Sequence, residues 1–312
     1  MPSRTSNLRI IDPVLTELMI GYQNSDLIAE HLFPIVNIET EGGKIPVFGK
    51  EKFRIYNTIR ALRANSNRIQ PEDINNLDIV LDEHDLEWPI DRREDSEAAF
   101  NLRAWATDVV TEGIQLRREK FCADLAQDAS KYPTGNKITL SGSSQFTDGT
   151  NSDPEGVIDD AKAAIRSKIA KHPNTMVIGY ESWRALKRHP KLKELLSTNS
   201  KRLIRKEDLQ DIFEIENIVI GMSLYQGENG ETINDVWGDN IILAYVPKSR
   251  QGARQMYDAS YGYTLRKRGD RNFGVDTYPE QGGKVDIIRA TDINRPYLLG
   301  AEAGYLISNT NG

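Results

Sequence analysis

The chain has 312 residues, 38 % hydrophobic and 28 % charged, with a formal net charge of −6. That acidic balance excludes a general nucleic-acid-wrapping protein, which carries a basic excess, and the single cysteine, Cys122, excludes an internal disulfide and a cysteine-based zinc site. No run reaches the ~18 apolar residues of a spanning helix, and MPSRTSNLRIIDPVLTEL has no signal-peptide core, so no membrane partner and a cytosol-like space are expected.

Residues 1–45 read as an arm. Asp12 and Pro13 mark a helix start, an N-cap followed by proline at the first helical position, with Leu15, Leu18 and Met19 on one face. A second amphipathic piece carries Leu27, Ile28 and Leu32, with Asn24 or Ser25 as its cap. Both pieces are too short to be stable alone. Each is expected to dock on the body of the chain or on a neighbouring subunit.

Residues 46–82 read as a projecting β-hairpin. KIPVFGKEKFRIYN has strand composition, TIRALRANSNRIQPEDINNLDIVL loses periodicity and gains Asn, Arg and Pro, and LDIVLDEHDLEWPI is strand-like again. A long polar loop is uncommon in a compact domain and is usually functional.

Over 93–131, Leu102, Trp105, Val109 and Leu116 recur at helical spacing, widened by Phe100, Ala106, Val110, Ile114, Phe121 and Leu125. The spacing predicts one helix, capped by Asp95 or Ser96 and stopped by Tyr132-Pro133. At 1.5 Å per residue its ~35 residues make a rod about 50 Å long. Residues 134–156 are rich in Gly, Ser, Thr and Asn and predict one short strand and a loop. The acids from Asp148 to Glu155 lack the ligand alternation and sixth-position glycine of a calcium loop, so no metal site is expected.

Residues 157–250 predict a compact α/β unit. The helix VIDDAKAAIRSKIAKH precedes the buried strand TMVIG, the short helices YESWRALKR and PKLKELL, and the strands ENIVIG and NIILAYVP. Helices alternating with such strands predict a mixed sheet with helix cover. Residues 251–312 return to strands in YGYTLRKRGDRN, GVDTYPEQGGKVDIIRATD and AEAGYLI, with a tight turn at Gln281-Gly282-Gly283.

Two His-Pro pairs, His172-Pro173 and His189-Pro190, invite an acid–base reading. No nucleophile or carboxylate cluster stands at motif spacing around them. Each pair reads instead as chain punctuation, the first leading into TMVIG and the second starting a helix with proline in its first turn. Nucleotide-loop, zincin and nucleophile-elbow motifs are absent from the sequence. Cys122 reads as a small core residue and Trp183 as a packing anchor. No catalytic residue and no cofactor are expected. The hairpin carries Lys50, Lys52, Arg54, Arg60, Arg63 and Arg68, while Asp and Glu are dense at 82–97. Opposite charges on one chain suit self-association, so these six are the candidate subunit-contact residues. The cluster Arg266, Lys267, Arg268 and Arg271 leaves solvated charge, ion pairing and phosphate contact open.

Several stretches carry a resemblance in their order and spacing. DPVLTELMIGYQNSDLIAEHLFPIVNIETEGGKIPVFGKEKFR looks like an arm leading into an extended loop, PNTMVIGYESWRALKRHPKL like the strand and helix of an axial lobe, VWGDNIILAYVP and ASYGYTLRKRG like late strands, and EAGYLI like a closing strand. Together they resemble, over nearly the whole chain, the major capsid (head) proteins of tailed bacteriophages, which share the Hong Kong 97-type fold. The resemblance implies an α+β fold with an N-terminal arm (1–45), an extended loop (46–82), a peripheral domain (83–150) holding a spine helix (93–131), an axial domain (151–250) and peripheral C-terminal strands (251–312). It implies a non-enzymatic subunit that self-assembles as hexamers and pentamers into an icosahedral shell around packaged double-stranded DNA, without sequence-specific binding. Implied partners are further copies of itself, a scaffolding protein, a portal and, in some members, cement proteins. Implied locations are the host bacterial cytoplasm during assembly and the virion capsid afterwards. Some members begin with a scaffolding segment that a protease removes. This chain runs almost directly into the arm, so it looks like either a mature product or a member served by a separate scaffolding protein, and the initiator Met1 favours the second. Two alternatives stand beside this reading: an encapsulin-like compartment with enzyme cargo, and an α/β enzyme using the 157–250 unit.

Overall fold

The computed structural model of the chain describes residues 24, 26–47, 53–63, 65–69, 75–196, 203–227, 230, 232–247, 260–269 and 273–311. The chain opens with β1 (Ile35–Ile38), β2 (Gly42–Val47), β3 (Asn75–Val80) and β4 (Asp82–Asp91). Helices α1 (Arg92–Glu97) and α2 (Leu102–Gln127) follow. The middle of the chain holds β5 (Lys137–Thr139), α3 (Pro154–Ile169), β6 (Thr175–Gly179), α4 (Tyr180–Leu186), α5 (Pro190–Leu195) and α6 (Lys206–Phe213). After them come β7 (Asn217–Gly221), the hairpin β8 (Leu224–Gln226) and β9 (Ile233–Asp235), and β10 (Ile241–Ala244). The last part supplies β11 (Gly262–Lys267), β12 (Phe273–Pro279), β13 (Val285–Leu298) and β14 (Gly304–Ser308).

Two five-stranded sheets organise the chain. In the first, the long β13 pairs antiparallel with β4, β12 and β11, and β1 joins β11 in parallel. The turn from β12 to β13 is the expected one at Gln281-Gly282-Gly283, where both glycines take positive φ. The second sheet has the order β5-β14-β10-β6-β7, with β6 and β7 parallel, β5 and β14 parallel, and β10 antiparallel to both neighbours. This mixed sheet and its helices are the α/β unit expected from the sequence. Two of its strands come from outside the 151–250 stretch, since β5 and β14 cross those bounds. The cause is burial: in β14, Tyr305 and Ile307 pack on one face and Leu306 on the other, which requires cover on both sides.

The same two-residue period splits the core. Met176, Ile178, Ile241 and Leu243 face a layer made by Ile158, Ile165, Leu186, Leu192, Leu209 and Phe213 from α3 to α6. Val177, Ile242, Ala244 and Leu306 face Cys122, Ala123 and Ala126 of α2. The other half of α2 turns Leu102, Ala106, Val110 and Ile114 onto Ile90, Ile288 and Ala290 of the first sheet. Helix α2 therefore spans both sheets, with its 26 residues reaching about 39 Å.

The single helix expected over 93–131 is in fact two. Asp91 caps α1 by accepting from the Arg93 N–H at 2.8 Å, and Ala98 is extended with ψ of 131°. Asn101 then starts α2 afresh, its side chain accepting from Ala104 N–H at 3.0 Å. At the other end the helix stops at Gln127, and Asp128 to Lys131 form a cap and a 3-10 turn. The second arm piece, expected as a capped helix from Asn24 or Ser25, is a three-residue 3-10 turn, Ala29–His31, with no side-chain cap. Helix α6, not expected from the sequence, is held at its start by the Asp208 carboxylate accepting from Arg205 N–H at 2.8 Å.

Two glycines fix the end of the second sheet. Gly179 and Gly221 are register partners on β6 and β7. A Cβ on Gly221 would stand 2.3 Å from the Trp237 ring, and one on Gly179 would stand 2.0 Å from the Gly238 carbonyl oxygen. The pair opens the slot in which Trp237 lies fully buried. Gly179→Ala is expected to lower stability by about 2 kcal/mol or more, because backbone rather than a flexible side chain must move. A shift in the urea unfolding midpoint checks this.

Candidate assembly surfaces

The arm is seated by one carboxylate. Glu119 points from α2 into the core, only 2 % exposed. Its Oε1 accepts from Ile28 N–H at 3.0 Å and from the Trp237 indole N–H at 2.7 Å, while its Oε2 accepts from Ala29 N–H at 2.8 Å. Burial pushes this carboxyl above the usual range, opposed by those three donors and by Arg118. Arg118 also bonds Glu30 at 2.8 Å. Beyond this clamp Leu32 and Phe33 are fully buried, Phe33 lies against Tyr261 with ring centroids 5.3 Å apart, and the Thr264 hydroxyl donates to Phe33 O at 3.1 Å. The segment 28–33 thus docks on its own subunit, one of the two expected outcomes for the second arm piece. The first piece, Asp12 to Met19, lies outside the described residues.

The hairpin has a packed root and an exposed tip. Strands β2 and β3 form a separate two-stranded sheet, in register from Gly42↔Val80 to Val47↔Asn75. At the root the Tyr297 hydroxyl accepts from Val80 N–H at 2.8 Å and donates to Val80 O at 2.7 Å. Ile79 and Leu81 are buried with Leu265 and Ile293. Towards the tip, residues 53–63 and 65–69 have little regular structure, and Asn67 braces the loop by donating to Asn57 O at 2.7 Å and Ile59 O at 3.1 Å. Ile55, Ile59 and Leu62 are 98 %, 85 % and 90 % exposed. These three large apolar side chains are left open together on one loop.

Of the six contact residues expected from the sequence, Arg54, Arg60, Arg63 and Arg68 are exposed on this same loop, and Lys50 and Lys52 lie outside the described residues. The sequence reading passed over the apolar residues between the arginines. The signal was present, since IRAL sets Ile59 and Leu62 against Arg60 in a stretch, 53–69, without a single Asp or Glu. The second basic cluster is paired with acids of its own chain, largely buried at Arg266 and exposed at Arg268. Arg266 holds Asp292 with two bonds of 2.9 Å, Lys267 bonds Glu41, and Arg268 bonds Glu39 at 3.1 Å. Ion pairing within the chain is what engages these three, and Arg271 lies outside the described residues.

The two histidines do not converge. His172 is exposed before β6, and His189 is the buried N-cap position of α5, with Pro190 in the first turn. His189 Nε2 meets the Ser152 hydroxyl at 2.9 Å. The Asp148 carboxylate is spent on its own loop, accepting from Thr150 N–H at 3.0 Å, Asn151 N–H at 3.1 Å and Asn151 Nδ2 at 2.8 Å. Among the described residues no group of three or more His, Cys, Asp and Glu is placed to hold a metal.

A helix spanning two sheets, an arm strapped to it and a hairpin with an open apolar tip define a subunit class: the Hong Kong 97-type capsid fold. Solved phage capsid chains share the fold over more than nine tenths of this chain. The chain belongs to the phage major capsid protein E family, whose model matches residues 19–285. It is 56 % identical over 310 residues to the major capsid protein of Burkholderia phage BcepMu, covering 99 % of each chain. It is 32 % identical to a phage-related protein from Bordetella bronchiseptica RB50, with TM-score 0.74 over 97 % of this chain and 98 % of that one. An encapsulin from Synechococcus elongatus shares only the fold, at 12 % identity and TM-score 0.55 over 97 % of this chain and 96 % of that one. The protein is accordingly a structural capsid subunit and not an enzyme.

Two expectations follow. Glu119→Gln puts an amide N–H₂ against backbone or indole donors and is expected to cost about 2 kcal/mol or more. Limited proteolysis should then cut the arm near residues 24–33 faster than in the wild type, and unchanged cleavage contradicts the clamp. His189 gives a pH dependence. Burial, with Lys191 nearby, lowers its pKa below 6.5 against the opposing pull of Asp148 and Asp153. A depressed folded pKa contributes stability that is present above 6.5 and lost as pH falls through the folded value. The melting temperature of His189→Gln is expected to fall less with acid than that of the wild type.

Proposed function

We propose that copies of this chain associate as hexamers and pentamers and tile a closed icosahedral shell around packaged double-stranded DNA. Assembly takes place in the cytoplasm of the host bacterium, guided by a separate scaffolding protein and a portal. In this reading the hairpin at 46–82 crosses to a neighbouring subunit, the unit at 151–250 meets its copies at the capsomer centre, and the segments 83–150 and 251–312 meet adjacent capsomers.

The observation that carries the reading is the loop tip. Ile55, Ile59 and Leu62 stand almost fully in solvent beside four arginines in a stretch that holds no acid. A chain that buries its own core this fully has no folding reason to keep such a loop open, whereas a neighbouring subunit would cover it. Fully covering a Leu or Ile side chain contributes roughly 1.5–3 kcal/mol, so many modest contacts close a shell. The acidic balance fits a container, because a basic wall would hold phosphate through counterion release and resist emptying.

Replacing both Ile59 and Leu62 with Asp is expected to lower the yield of particles by about tenfold or more, while the melting temperature of the unassembled subunit stays unchanged. Sedimentation and electron microscopy read the first, and circular dichroism the second. Normal particle yield would contradict the proposed role of the hairpin. Purified wild-type particles should contain nuclease-protected DNA, and particles filled with an enzyme instead would establish the compartment reading.

A further inference from the structure

The small hairpin of β8 and β9 has two unlike faces. Its register pairs are Leu224↔Asp235, Tyr225↔Asn234 and Gln226↔Ile233, and successive pairs send their side chains to opposite sides. Tyr225 turns inward, against the core that holds Trp237, with Lys120 of α2 over its ring at 4.7 Å. The other face carries Leu224 and Ile233, 44 % and 66 % exposed, and Met222, two residues before Leu224, is 50 % exposed. Asp235 shares that face. Burial and the nearby Glu181 push its carboxyl up, and among the described residues no cation opposes them.

The described arm begins at the edge of this hairpin. Val236 N–H donates to Ser223 O at 3.0 Å. The next pair along is therefore a non-bonded one, and the N–H and C=O of Leu224 point away from β9. The Asn24 side chain takes both: its Oδ1 accepts from Leu224 N–H at 3.0 Å, and its Nδ2 donates to Leu224 O at 2.7 Å. Asn24 thus stands where a third strand would, and the 23 residues before it lead off from the rim of the open apolar face.

Those residues hold the amphipathic piece read from the sequence, with its start at Asp12-Pro13 and Leu15, Leu18 and Met19 on one side. From Leu15 to Met19 a helix advances about 6 Å, and the three-residue strands of the hairpin are about 10 Å long. The five residues from Met19 to Asn24 reach at most about 18 Å, enough for the piece to fold back over the hairpin. Ahead of it stand two cations, Arg4 and Arg9.

We propose that the outer face of the β8–β9 hairpin is the seat of the chain's own first arm segment. Leu15, Leu18 and Met19 cover Met222, Leu224 and Ile233, and Arg9 faces Asp235. A two-stranded hairpin is marginal on its own, and the segment supplies the cover that its outer face lacks. The contact lies within one subunit and needs no shell, so it stands or falls independently of assembly.

The test uses the unassembled full-length chain. Leu18→Cys with Ile233→Cys, once oxidised, is expected to run on a non-reducing gel as a monomer of raised mobility that reductant restores. Cys122 is fully buried and does not compete. A ladder of linked chains places the segment on a neighbour and overturns the proposal, and so do unlinked chains. Hydrogen exchange adds a readout free of cysteine geometry. In Leu15→Asp with Leu18→Asp, the amides of 222–226 and 233–235 are expected to exchange about tenfold faster or more, and unchanged exchange overturns the proposal. If that variant fails to fold, Ile233→Asp gives the reciprocal measurement. Trypsin is then expected to cut after Arg9 about tenfold faster than in the wild type, and equal rates overturn the seat.

Discussion

A single buried carboxylate ties the subunit together. Placing an ionised group inside a protein is costly unless its oxygens are satisfied, and Glu119 is satisfied by three N–H donors from two distant parts of the chain. Two of those donors belong to the arm and one to Trp237. Trp237 in turn fills the slot left by Gly179 and Gly221 at the end of the second sheet. The arm continues through Phe33 into β1, which pairs with β11 of the first sheet. Removing this carboxylate would therefore loosen the arm, the tryptophan turn and the alignment of both sheets along α2.

Around that frame the chain separates two kinds of surface. The interior of each sheet is sorted by strand periodicity, so that neighbouring residues on β6, β10 and β14 serve opposite cores. The hairpin root belongs to the frame, through Tyr297 and the cluster of Ile79, Leu81, Leu265 and Ile293. Its tip does not, and it carries the apolar groups the frame leaves uncovered. A shell subunit needs this division. Its fold must hold before assembly, and its sticky surface must wait for a neighbour.

Much of the fold was legible in the sequence because the apolar patterns are strong and local. TMVIG, ENIVIG and NIILAYVP became β6, β7 and β10, and the glycine turn after Glu280 joined β12 to β13 as expected. The break between α1 and α2 was hidden because Ala98 and Phe100 continue the apolar stripe, while the cap that restarts the helix is a single Asn101. The seat of the arm was hidden for a different reason. A lone glutamate among the two arginines and one lysine of RREKF reads as a surface charge, and only its position between Ile114 and Cys122 on the buried side of α2 marks it as inward. Positive charges misled in both directions. Arg266, Lys267 and Arg268 are matched by acids far away in sequence, which no local pattern reveals. The loop arginines were read as the contact residues, and the reading passed over Ile55, Ile59 and Leu62 beside them, which stand exposed.

The most direct measurement is an electron cryomicroscopy reconstruction of the wild-type particle at side-chain resolution. The central claim is that the loop at 53–69 is an intersubunit element, left open only in the isolated chain. The expected map shows an icosahedral shell in which Ile55, Ile59 and Leu62 of each subunit are buried against a neighbour. A closed shell with that loop standing in solvent on every subunit would contradict the claim.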